Sequence, residues 1–120
     1  MASILIVDDE PEATATLSKF LETRGYATDT AANGSEALER VRAIDYELVM
    51  TDLRMPGMDG ADFLTRVRVE QPQLPIVVMT GHTNLGDQDD LWARAGVEMV
   101  LHKPLNLREV SEILRILLTR

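Results

Sequence analysis

Five short strand-like runs, separated by segments of helical periodicity, limit what this chain can become. They fall at residues 3–7, 27–31, 47–51, 76–79 and 98–102. Ile4-Leu-Ile-Val7, Leu48-Val-Met-Thr51 and Met99-Val-Leu-His102 are nearly continuous apolar stretches. That pattern marks strands buried on both faces of a parallel sheet. Amphipathic helices come between them. The first starts near Pro11, a favoured first-turn residue, buries Ala13, Leu17, Phe20 and Leu21, and stops at Gly25. Asn33-Gly34 forms a turn into a second helix with Ala37, Leu38 and Val41 facing inward. Asp59 is the expected N-cap of a third, whose apolar side is Phe63, Leu64 and Val67. A fourth carries Leu91, Trp92 and Ala95 and closes at Gly96. A fifth spans about Leu107–Leu118, with Leu107, Val110, Leu114, Leu117 and Leu118 on one stripe. Five βα units predict one α/β domain over residues 1–120. Its doubly wound parallel sheet has five strands, right-handed crossovers and five helices spread over both faces.

Composition narrows the function. Hydrophobic residues make up 45% of the chain and aromatic residues only 4%, so aliphatic side chains must fill the core. The net charge of −8 argues against this domain gripping nucleic acid or an anionic membrane by itself, because phosphate-rich surfaces demand a basic face. No apolar stretch approaches the length of a membrane span, and the first apolar run stops at Asp8 with no basic region before it, unlike a signal peptide. The absence of cysteine removes disulfides and thiolate metal sites and fits a cytoplasmic location.

The chemistry lies at the strand ends. In an open parallel sheet the carboxyl ends of the strands share one edge, where ligands bind. Asp8-Asp9 follow the first run, Asp52 the third and Lys103-Pro104 the fifth. Three carboxylates and one ammonium, distant in sequence, are therefore expected in one acidic pocket. An acidic pair on its own often does no more than cap a helix. With Asp52 on the same edge, a pocket is the better reading. Two carboxylates about 4 Å apart repel by roughly 4 kcal/mol at an effective dielectric of 20, so the cluster needs a cation. Oxygen donors without cysteine or histidine suit a hard ion, best Mg²⁺. Asp52 is the candidate nucleophile, since a carboxylate can attack phosphorus to give an acyl phosphate. Lys103 can pair with a carboxylate or a phosphoryl oxygen, and Pro104 admits a cis bond that would aim it. Thr80 ends the fourth strand with a hydroxyl donor, and Gly81 after it leaves room for a phosphoryl group. His82 and His102 have no ligand-spaced partner and read as surface residues.

With those residues in place, the chain resembles a response-regulator receiver domain of two-component signalling from end to end. The matching stretches are Val7-Asp-Asp-Glu10, Asp52-Leu-Arg-Met-Pro-Gly-Met-Asp-Gly60, Met79-Thr-Gly81 and Lys103-Pro104, in that order. The resemblance implies a flavodoxin-like strand order of 2-1-3-4-5, for which the chemotaxis receiver is a standard example. It implies that Asp52 is the phosphoacceptor. Asp9 would bind Mg²⁺ directly, Asp8 would assist through water, and the backbone carbonyl of Arg54 would be a further ligand. Thr80 would be the switch hydroxyl and Lys103 the phosphate-pairing amine. The donor would be a phosphohistidine on a sensor histidine kinase or a histidine phosphotransfer protein. The chain would then be a phosphoacceptor signalling domain rather than an enzyme. Three residues before the lysine, where many such domains carry Tyr or Phe, stands Val100, and Leu105 replaces a frequent Phe.

The resemblance also suggests how a signal would leave. Thr80 would be drawn toward the acyl phosphate and would pull the polar, Gly-containing segment after it. Helix four, strand five and helix five would then present a changed surface to a partner, an output domain or a second copy. Ile116 lies opposite the apolar stripe of helix five and is a candidate contact for that surface, although a single exposed isoleucine is also ordinary. Three rivals share the fold class or the nucleophile. A flavin carrier would need a Ser/Thr/Gly-rich loop where this chain has Asp8-Asp-Glu-Pro-Glu12. An aspartyl phosphatase would by family pattern want a second Asp two residues after Asp52, where Arg54 stands. A receiver-like interaction module that takes no phosphate is the runner-up.

Overall fold

In the computed structural model, residues 2–52, 60–81 and 96–118 are described. Their order is β1 (Ser3–Val7), α1 (Pro11–Thr23), β2 (Ala27–Ala31), α2 (Gly34–Ala43), β3 (Leu48–Asp52), α3 (Gly60–Glu70), β4 (Ile76–Thr80), β5 (Met99–His102) and a C-terminal helix (Leu107–Leu118). All pairings are parallel, and the strand order is β2-β1-β3-β4-β5. The expected order and α/β class are therefore observed. Four helices lie among the described residues. The expected helix on Leu91, Trp92 and Ala95 lies outside them, as do the Asp59 cap, Arg54 and His82.

Strand alternation explains why the central runs carry no polar face. Successive side chains point to opposite sides of a sheet. Leu5, Val7, Val49, Ile76 and Val78 meet Ala37, Leu38 and Val41 of α2 and Phe63, Leu64 and Val67 of α3. Ile4, Ile6, Leu48, Met50, Val77 and Met79 meet Leu17 and Leu21 of α1 and Val110 and Leu114 of the C-terminal helix. With helices on both faces, every residue of β3 and β4 is buried. The edge strands differ. In β2, Ala-Thr-Asp-Thr-Ala, only Ala31 is buried. In β5, Met99 and His102 are exposed and only Leu101 is buried. The expectation of a fully buried fifth strand is thus corrected, because β5 stands at the margin of the sheet.

Helix ends follow local chemistry. Gly25 has φ +91°, a conformation that L side chains rarely adopt, and it closes α1. The Tyr26 N–H donates to Leu21 O and the Gly25 N–H to Glu22 O, the two bonds of a Schellman motif. At α2 the turn expected at Asn33-Gly34 is itself a cap. The Asn33 side-chain oxygen accepts from the Glu36 N–H at 2.8 Å, and the Glu36 carboxylate accepts from the Ala32 N–H at 3.2 Å. Asn33→Ala is expected to cost about 1 kcal/mol, the usual worth of an N-cap. Urea unfolding should show that loss as a lower midpoint with an unchanged slope.

Candidate active site at the carboxyl edge of the sheet

Register and parity bring the polar residues together. β1 and β3 align Ile4 with Leu48 and Val7 with Thr51, so one step further Asp8 comes level with Asp52. Both continue the even-numbered side that carries Ile6 and Met50. Lys103 lies two residues after Leu101 and falls on the same side. The Asp8 N–H donates to Ala31 O at 3.0 Å, and the Lys103 N–H donates to Thr80 O at 2.8 Å. Each of these bonds extends the ladder by one residue and fixes where the side chain starts. The Lys103–Pro104 peptide is cis.

The Lys103 ammonium donates to Asp8 Oδ2 at 2.6 Å and to Asp52 Oδ2 at 2.9 Å, and lies 3.8 Å from Glu10 Oε1. Asp8 and Asp52 are nearly buried, with side-chain exposures of 3% and 9%. The other Asp8 oxygen accepts from the Glu10 N–H at 3.1 Å. Asp8 therefore orders the loop before α1, while the N-cap position, Glu10, makes no side-chain capping bond. Asp9 is exposed. Asp8, Asp9, Glu10 and Asp52 each offer an oxygen within 4.8 Å of the others. All four donors are carboxylate oxygens, a set that fits a hard divalent ion.

Burial pulls the Lys103 pKa down, but the hydrogen bonds and charges of Asp8 and Asp52 outweigh it, so the net shift is upward from 10.5. Thr80 closes β4 and is buried. Val100 is half-buried and packs against the core on the α2–α3 side. The fold thus gathers Asp8, Asp9, Asp52 and Lys103 and sets Thr80 beside the Lys103 backbone. Sequence reasoning left out Glu10 as a member of the cluster. Its place directly after Asp8-Asp9 was the available signal.

Comparison with known proteins agrees with this geometry. The family model of the response regulator receiver domain matches residues 4–115. The chain belongs to the response regulator receiver family. It is 35% identical over 98% of its length to the transcriptional regulatory protein TcrA of Mycobacterium tuberculosis, and covers 46% of that protein. The chain thus spans about half the length of that relative. Among solved structures, the response regulator TrrA of Thermotoga maritima, in complex with Mg²⁺ and BeF, superposes with a TM-score of 0.87 at 32% identity, over 98% of this chain and 99% of that one. A two-component response regulator from Clostridium difficile gives 0.93 at 28% identity, over 100% and 98%. No helix among the described residues of the receiver is long and apolar enough to cross a membrane.

The raised Lys103 pKa sets a pH dependence. A group whose pKa is higher in the folded state stabilises the fold fully below its unfolded value. That contribution is lost as pH rises through the folded value. Lys103→Met is expected to cost about 1–3 kcal/mol at neutral pH, the scale of charged hydrogen bonds. The gap between variant and parent should close as pH rises above 10.5, as thermal melts across an alkaline series will show.

Proposed function

We propose that this receiver takes a phosphoryl group onto Asp52 from a phosphohistidine on a sensor histidine kinase or histidine phosphotransfer protein. A carboxylate oxygen of Asp52 attacks phosphorus and forms an acyl phosphate. The P–N bond breaks and the imidazole leaves with its electron pair. The observation that carries this reading is the shared Lys103 ammonium, 2.6 Å from Asp8 and 2.9 Å from Asp52, inside a cluster of four carboxylates.

Each residue has work in that step. Asp9 and Asp52 would hold Mg²⁺ through their oxygens, Asp8 would assist through water, and the Arg54 carbonyl assigned as a further ligand lies outside the described residues. When bound, the ion would offset the charge of the attacking carboxylate and of the phosphoryl oxygens. Lys103 holds the Asp52 carboxylate in place by its 2.9 Å hydrogen bond, and then pairs with a phosphoryl oxygen. Thr80 supplies a hydroxyl at the end of β4 and carries the change into the segment that follows it. The surface of β5 and the C-terminal helix, where Met99 and Ile116 are exposed, meets the output partner or a second copy. Val100 leaves this surface without the aromatic readout that many receivers use. Residues 1–120 act as one such domain, in the cytoplasm, and bind no nucleic acid themselves.

Acetyl phosphate with Mg²⁺ tests the proposal. Intact-mass measurement should show a +80 Da adduct that Asp52→Asn abolishes and that EDTA suppresses. No adduct on the parent chain would support the interaction module that takes no phosphate. Continuous release of phosphate from many esters would support a phosphatase.

A further inference from the structure

Among the described residues the buried polar side chains are Asp8, Thr14, Thr51, Asp52 and Thr80. Asp8 and Asp52 hold the Lys103 ammonium, and Thr80 closes β4 at the same edge. The cleft of about 650 Å³ beside α1, lined in part by Asp8, Glu10 and Lys103, opens onto that edge as well. The Thr14 hydroxyl donates to the carbonyls of Pro11 and Glu10 and so belongs to the start of α1. Thr51 is the remaining member, and it is fully buried, at 0% exposure.

The surroundings of Thr51 favour an apolar residue. Register places it level with Val7 of β1 and Val78 of β4, and Val78 level with Val100 of β5. Val7 and Val78 belong to the core on the α2–α3 side, and Val100 packs against it. A hydroxyl buried in such a row costs free energy unless it is hydrogen-bonded, and valine would fill nearly the same space. The hydroxyl has its partner next door in sequence, since Thr51 Oγ1 donates to the Asp52 carbonyl at 3.0 Å. That carbonyl belongs to the last residue of β3, the same residue whose carboxylate Lys103 holds. Successive side chains of a strand alternate, so Thr51 points away from the carboxylates and reaches the site only through the backbone.

We propose that Thr51 is a positioning residue for phosphoryl transfer to Asp52. Its hydroxyl fixes the plane of the peptide that leaves Asp52, and with it the ψ angle of that residue. The Asp52 carboxylate is thereby held at the strand end in the orientation that meets Lys103 at 2.9 Å. An attacking group loses rate steeply when its orientation is released. The role rests on the reading of Asp52 as the phosphoacceptor, and adds to it a group on the opposite face of the sheet. Serine at this position keeps the hydroxyl, whereas valine and alanine remove it.

Thr51→Val and Thr51→Ser are compared with the parent chain in acetyl phosphate and Mg²⁺, at a temperature where melts show all three folded. The rate of adduct formation is expected to fall about fivefold or more in Thr51→Val and to stay within about twofold of the parent in Thr51→Ser. The ¹³C resonance of the Asp52 carbonyl, read without any phosphodonor, should move in Thr51→Val and stay near its parent position in Thr51→Ser. If Thr51→Val does not fold, Thr51→Ala removes the same hydroxyl and takes its place. A parent that forms the adduct, beside a Thr51→Val variant that forms it equally fast, would overturn the inference and leave the phosphoacceptor reading intact. Equal losses in Thr51→Ser and Thr51→Val would also overturn it, because packing and not the hydroxyl would then be responsible. A parent that forms no adduct removes both.

Discussion

One ammonium opposes four carboxylates at the carboxyl edge of the sheet, and the architecture of this receiver turns on that imbalance. Lys103 spans 95 residues of sequence to reach Asp8 and 51 to reach Asp52. It draws the ends of β1, β3 and β5 together. Removing one partner of a buried pair exposes the others to uncompensated charge, which is more costly than the net worth of the pair. The pair is thus a poor source of stability but a strong constraint on where three strand ends sit. Asp9 and Glu10, both exposed, remain beyond the direct hydrogen bonds of the ammonium and keep the field of the pocket negative.

The same packing that forms the core sets the site. A one-residue slip between β1 and β3 would carry every side chain of β1 to the opposite face. It would also take Asp8 out of step with Asp52. Because α1 and the C-terminal helix cover one face and α2 and α3 the other, both faces are specified by tight packing, and slippage is costly in either direction. Thr80 follows Val78 on the α2–α3 side, whereas Asp8, Asp52 and Lys103 follow the other parity. The hydroxyl therefore approaches the edge from the side opposite the ammonium. A group seated at the edge can be sensed from both faces of the sheet.

Much of this was legible from residue order. Apolar runs with no polar alternation, ended by Asp8, Asp52 and Lys103, require a parallel sheet whose ligands lie at one edge, and the distances agree. Gly25 announced the end of α1 correctly, because positive φ is a local demand. Other features depend on what is packed nearby. Met99-Val-Leu-His102 has the composition of a central strand but lies at the margin, where one neighbour is missing among the described residues. Asn33 looked like half of a turn, and its capping role emerged only from the position of the Glu36 N–H. Glu10 stands past the strand end, where an exposed glutamate reads first as a helix-start residue, and only its place directly after Asp8-Asp9 pointed to the cluster.

The cleft beside α1 shows why a void was the least legible feature. Ala13, Thr14 and Thr16 are ordinary helix residues in sequence, and nothing in their spacing announces an opening. The opening lies where those short side chains stand across from Leu105 and Leu107. Void volume is a difference between facing surfaces, and no single segment encodes it. Charge follows a different rule. Glu10 and Glu12 flank Pro11 at the start of α1, where carboxylates are favoured by the helix dipole. The tendency that places acids at a helix start thus also gives the cleft its negative side. An apolar floor supplied by the core and an acidic margin supplied by a helix terminus need no common origin to meet at one cleft.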